Sequence, residues 1–121
     1  MPFISKEFDD TYGLVLEISE DKSYYIVKDF KREVLHSDEV YIPETFGGLP
    51  VCEIASYAFY GCESVKEVTI FKCVEKVCYA SFLSCKYLKS VIYLGSKKEW
   101  KKIDFTKENK NLLKAKITFL E

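Results

Sequence analysis

Five cysteines, one histidine, a glycine pair and a lysine cluster are the residues of this chain with the most chemistry in them. Nucleophilic catalysis needs a nucleophile, a base and a group that orients the base. His36 lies in the polar stretch KREVLHSDE with no nucleophile beside it, so it reads as a surface histidine. The carboxylates fall in no recognisable paired motif. Cys73-x4-Cys78 and Cys78-x6-Cys85 match no zinc spacing, and no histidine accompanies them. Phe46-Gly47-Gly48-Leu49-Pro50 lacks the spacing and the Gly-Lys-Ser/Thr ending of a phosphate loop and reads as a turn. Lys97, Lys98, Lys101 and Lys102 sit beside Glu99 and Asp104 with no arginine, a weak case for a nucleic-acid patch. The expectation is a non-catalytic chain that uses no cofactor or metal and binds no nucleic acid.

What positions these residues is a repeat. IASYAFYGCESVKEVTI, starting at Ile54, returns as VCYASFLSCKYLKSVIY, starting at Val77. Under that one shift Ala58 falls on Ser81, Phe59 on Phe82, Cys62 on Cys85, Val65 on Leu88, Val68 on Val91 and Ile70 on Tyr93. A fixed period of this order marks a solenoid in which each coil adds one strand. Val65-x-x-Val68-x-Ile70-x-x-Cys73 and Leu88-x-x-Val91-x-Tyr93-x-x-Ser96 place alternate side chains inward and then turn. Ala58-Phe59 and Ser81-Phe82 belong on short helical turns that insert phenylalanine between layers. Cys62 and Cys85 then occupy core positions as reduced thiols. A bridge between their neighbouring coils is sterically conceivable but not implied.

The longer text resembles the BspA-type leucine-rich repeat family. The residues that carry the likeness are Ile42-Pro43, Gly48-Leu49-Pro50-Val51, Ala58-Phe59-Tyr60-Gly61-Cys62 and Tyr93-Leu94-Gly95 with Trp100. It covers Val40 to Ile103. Ser81 departs from the alanine of the pattern, Phe71 stands where proline often follows the strand, and the repeats are few. The resemblance implies a leucine-rich repeat solenoid that binds other proteins, with surface adhesion and host contact among its roles.

The remaining segments fit such a solenoid as one domain of 121 residues. Residues 1–39 read as an N-terminal cap and connector, 40–95 as the coils and 96–121 as a C-terminal cap. In the first, Leu14, Leu16 and Ile18 alternate, as do Tyr25 and Val27 after a turn at Ser19–Ser23, which predicts a β-hairpin covering the first coil. Phe3 and Ile4 could dock nearby. Ser96-x-x-Glu99 is a capping box that opens a short helix with Trp100 and Ile103 on one face. Ala115 to Phe119 alternates as a last strand, with Ile117 and Phe119 inward. A hydrophobic content of 48% with 31% charged residues is ordinary globular composition and argues against disorder. No apolar run is long enough for a membrane span, and MPFISKEFDD lacks the features of a signal peptide. The default placement is cytoplasmic, or secreted or at the cell surface if the chain is truncated.

Two function classes stay open. If Val40, Val68, Ile70, Val91 and Tyr93 point inward, their neighbours form outward rows: Tyr41, Thr69, Ile92 and Thr118, then Pro43, Phe71, Leu94 and Leu120. Most of these are apolar, as at a protein-binding face, unless the hairpin or Phe3-Ile4 covers them. The alternative is a self-assembling unit and hence a homo-oligomer. Residues 1–64 carry five basic and thirteen acidic side chains, and residues 65–121 carry thirteen basic and six acidic. In a solenoid that difference becomes a gradient along the axis, suited to end-to-end association.

Overall fold

A computed structural model describes residues 11–31 and 38–121. His36, Phe3 and Ile4 lie outside the described residues. The chain winds as a short solenoid with a parallel ladder on each of two sides. The broad sheet has the order β10–β8–β6–β3, built from β3 (Glu39–Tyr41), β6 (Glu67–Phe71), β8 (Ser90–Leu94) and β10 (Lys116–Phe119). All its pairings are parallel. The narrow sheet runs β1–β2–β5–β7–β9, from β1 (Leu14–Ile18), β2 (Tyr25–Phe30), β5 (Leu49–Ile54), β7 (Lys76–Val77) and β9 (Asp104–Phe105). The short β4 (Thr45–Phe46) folds back on β5 through Gly47 and Gly48, both at positive φ as a tight hairpin turn demands. The first three coils therefore each contribute a second strand beyond the one legible in the repeat. Two-residue strands such as β7 are too short to show alternation.

Registers along the broad sheet step from Glu39 to Glu67, from Glu67 to Ser90 and from Ser90 to Lys116, so the middle coil is the shortest. Inward positions carry the core. Val40, Val68, Ile70, Val91 and Tyr93 of the broad sheet and Val27, Ile54 and Val77 of the narrow sheet are all buried. Ile117 and Phe119 are only half-buried, since no further coil covers them among the described residues. Between the sheets, Phe59 and Phe82 stack with ring centroids 5.0 Å apart and planes 11° apart. Aromatic stacking of this kind stabilises beyond the area it buries.

The turn layer shows why the repeat holds its period. Tyr57, Phe59 and Gly61 donate their backbone N–H groups to the carbonyls of Tyr79, Ser81 and Leu83 in the next coil. Tyr57 and Ala80, and likewise Gly61 and Ser84, are repeat equivalents, and all four have positive φ. Ser81, where the pattern has alanine, is buried, and its hydroxyl donates to the carbonyls of Cys78 (2.7 Å) and Ala55 (2.9 Å). The serine thus ties the coils rather than disrupting them. No disulfide forms among the described residues. Cys62 and Cys85 are buried thiols, and the Cys85 thiol donates to the Phe59 carbonyl at 2.9 Å.

Local elements outside the repeat pack at the two ends of the described coils. The β1–β2 hairpin joins the narrow sheet through β2 and β5, and Phe30 covers Phe59 at 5.5 Å. A register shift between Val15 and Leu16 breaks the simple alternation of β1, leaving Leu14 buried and Ile18 exposed. At the other end Ser96 caps α1 (Lys97–Trp100). Its hydroxyl accepts the Glu99 N–H, and the Glu99 carboxylate accepts the Ser96 N–H. Trp100 packs on Tyr93 at 4.9 Å. Asn109, just before α2 (Lys110–Lys114), is buried; it accepts the Phe82 N–H and donates to the carbonyls of Cys78 and Thr106. These bonds satisfy backbone groups of the last turn layer that no further repeat supplies.

Candidate functional site

The outer face of the broad sheet collects the sequence-predicted site residues. In-register pairing sets Tyr41 beside Thr69, Thr69 beside Ile92 and Ile92 beside Thr118, and sets Phe71 beside Leu94. Leu120 follows β10, its N–H donating to the Tyr93 carbonyl. Adjacent strands lie about 4.8 Å apart, so the four strands span about 14 Å along the axis. Tyr41 and Leu120 are exposed, and Thr69, Phe71, Ile92, Leu94 and Thr118 are half-buried. Pro43, expected in the second row, is instead buried. The chain has left the pleat there, past the end of β3, so alternation no longer sets its direction.

The hairpin does not lie over this face, because it extends the opposite sheet. Among the described residues, Tyr12 reaches the face from the N-terminal side, its exposed ring packing edge-on against Tyr41 at 4.7 Å. Tyr41 in turn meets Phe71 edge-on at 5.8 Å. Sequence reasoning missed Tyr12, which precedes the first strand and lies outside the repeat. The rows are thus continued by an aromatic side chain from the cap. Burial, then the neighbouring Tyr12 and Glu44, push the Tyr41 hydroxyl above the usual tyrosine range.

Beyond Phe71 the face dips into a cleft of about 330 Å³. Leu94 and Leu120 continue its apolar wall, while Glu44, Lys72, Glu99 and Glu121 stand around it. Gly95 is among its lining residues. A Cβ there would fall 2.7 Å from the Tyr93 ring and 2.9 Å from Lys72 Cβ, so the position has no room for a side chain. The Tyr93 hydroxyl, buried beneath, has no hydrogen-bond partner among the described residues.

Among the described residues, no three histidine, cysteine or acidic side chains are grouped to hold a metal ion. No described helix is long and apolar enough to cross a membrane. Burial, then the neighbouring Cys73 and Glu75, push the Cys52 thiol up to about 11. Burial likewise raises Cys73 and Cys78. Thiols held protonated in this way are poor nucleophiles.

Neither a family model nor a curated protein matches the sequence. A solved structure does: the leucine-rich repeat protein TpLRR of T. pallidum superposes with a TM-score of 0.56 at 24% sequence identity. The fold is a leucine-rich repeat solenoid. The superposition covers 66% of this chain and 40% of that one, so this chain matches less than half the length of its structural neighbour. The neighbour is itself a repeat protein, which agrees with the solenoid read from the spacing of Ile54 and Val77. At this identity the likeness speaks for the fold alone.

Proposed function

We propose that this chain is a non-catalytic protein-interaction module of the BspA-like leucine-rich repeat type, and that it docks a protein partner on the outer face of its broad sheet. The observation that carries this reading is the row of apolar side chains that no described segment lies over, from Tyr41 through Phe71 and Leu94 to Leu120. A sheet face with no task beyond solvation carries polar outward residues. Adhesion is one use of such a face. The cap and coils act together as one domain in this reading, since Tyr12 of the cap extends the binding row.

The test compares capture of partners by the wild-type chain, by Leu94→Lys and by Lys76→Ala. Lys76 lies on the opposite, narrow sheet. A protein retained by wild type and Lys76→Ala but lost with folded Leu94→Lys supports the reading. A retained set that Leu94→Lys leaves unchanged contradicts it.

A second reading, end-to-end self-association, is favoured by the chain order of the broad sheet, which turns the charge difference between the two halves into an axial gradient. Light-scattering mass at low salt and at roughly 0.5 M salt, where screening shortens to a few ångströms, tests it. A salt-sensitive oligomer supports self-association, and a monomer at both salts rejects it.

A further inference from the structure

The cleft at the C-terminal end of the broad sheet has a charge opposite to its surroundings. Residues 65–121 carry thirteen basic and six acidic side chains, yet two of those six, Glu99 and Glu121, stand at this cleft. Glu44 joins them from the first coil, and Lys72 is the one cation among the lining residues. The carboxylate of Glu99 is held charged. It accepts the Ser96 N–H at 2.9 Å, and this bond keeps its pKa below the usual range. The rest of the lining is largely apolar, with Phe71, Leu94 and Leu120 beside the three carboxylates. Gly95 also lines the cleft, and it has no room for a side chain, which would strike the Tyr93 ring and Lys72 Cβ. The fully buried Tyr93 lies against that glycine, and its hydroxyl is left without a hydrogen-bond partner among the described residues.

A cleft lined by both apolar and acidic side chains matches a long cationic side chain in both of its parts. The methylene stem of lysine or arginine prefers apolar contact while its charged end seeks carboxylates or water. At about 330 Å³ the cleft has the size of the smallest ligand pockets, which suits one or two residues rather than a folded surface. Arginine suits it better than lysine, because its planar fork pairs with carboxylates through two parallel hydrogen bonds.

We propose that this cleft receives an arginine side chain, next to an apolar residue, from a partner polypeptide lying along the broad sheet. The proposal rests on the sheet-face reading above and adds the chemistry of the partner to it. The stem lies against Phe71, Leu94 and Leu120, and the guanidinium sits among Glu44, Glu99 and Glu121. Lys72 opposes binding, so removing its charge tightens the complex.

Fluorescence anisotropy with three labelled peptides tests this: alternating leucine and arginine, the same peptide with neutral citrulline for arginine, and alternating leucine and glutamate. The Leu–Arg peptide is expected to bind, and the other two to bind at least about tenfold more weakly, as suits loss of charge-assisted pairing. Glu44→Gln and Glu121→Gln are each expected to weaken the Leu–Arg peptide roughly three- to fivefold, the scale of a partly exposed ion pair. Lys72→Ala is expected to strengthen it by a similar factor. Equal binding of the arginine and citrulline peptides, or no binding of the Leu–Arg peptide, overturns the proposal. In the first case, loss of both peptides on Leu94→Lys leaves the sheet-face reading standing while the arginine site falls. Unchanged affinity in Leu94→Lys overturns both.

Discussion

The two sheets of this solenoid share one chain and one winding, yet their outer surfaces differ. On the narrow sheet the paired residues Glu53, Lys76 and Asp104 alternate in charge across the strands. On the broad sheet one outward row, Glu39, Glu67, Ser90 and Lys116, is also polar, but the next two are Tyr41, Thr69, Ile92 and Thr118, then Phe71, Leu94 and Leu120. The inner rows of both sheets are alike, since Val27, Ile54 and Val77 are as buried as Val40, Val68 and Val91. Both inner faces meet the same demand of burial. Where the narrow-sheet row of Glu53, Lys76 and Asp104 is charged, Phe71, Leu94 and Leu120 of the broad sheet are apolar, and the proposed docking face rests on them.

The sharpest way to break the likeness of the inner faces is a matched pair of core truncations. Ile70 of the broad sheet and Ile54 of the narrow sheet are both fully buried. Ile70→Ala and Ile54→Ala should each cost about 2–5 kcal/mol in urea unfolding. A loss well below that range for Ile54 alone would mean that the narrow sheet is not part of the same core. Next in size is Asn109→Ala, expected to cost about 2–3 kcal/mol, because it strands the Phe82 N–H and two carbonyls under the last coil.

Alkaline pH bears on the narrow-sheet side, where Cys52 lies on β5. Burial holds its thiol protonated with a folded pKa of about 11, against about 8.5 for a free cysteine. A raised folded pKa means stability that is complete below the unfolded value and is lost as pH rises through the folded one. The urea midpoint should fall between about pH 8.5 and pH 11, with Cys52→Ser flattening the fall. A fall that Cys52→Ser leaves unchanged would assign the loss to other groups. The smallest effect is a gain. Ser84 has φ +65 where its repeat equivalent is Gly61, so Ser84→Gly should raise stability by roughly 0.5–1 kcal/mol, read as a higher midpoint.

The central coils are the most legible part of the sequence, because there one apolar pattern is printed twice, from Ile54 and again from Val77. The inward set from Val65 to Tyr93 and the outward rows both follow from that spacing. The flanking coils, Glu39 to Glu67 and Ser90 to Lys116, are longer than the one between them, which breaks the period and hides their equivalences. The second ladder stays hidden because β7 and β9 have two residues each, too few for alternation to show. Pro43 drops out of the outward row for a related reason: alternation holds only as far as the strand's end at Tyr41. Asn109 gives no signal at all. Its role rests on contacts remote in winding rather than on any local pattern, as does the reach of Tyr12 to Tyr41. The capping box at Ser96 and Glu99 is readable because both its hydrogen bonds are local.

The most direct test of the account is the urea unfolding midpoint of Leu94→Lys beside that of Ile70→Ala. Both residues lie in the broad sheet, one facing out and one facing in. If the outer rows are a surface held open for a partner, Leu94→Lys should stay within about 1 kcal/mol of wild type, and Ile70→Ala should lose several. A Leu94→Lys protein destabilised as much as Ile70→Ala would make the outer row part of the core and contradict the docking face.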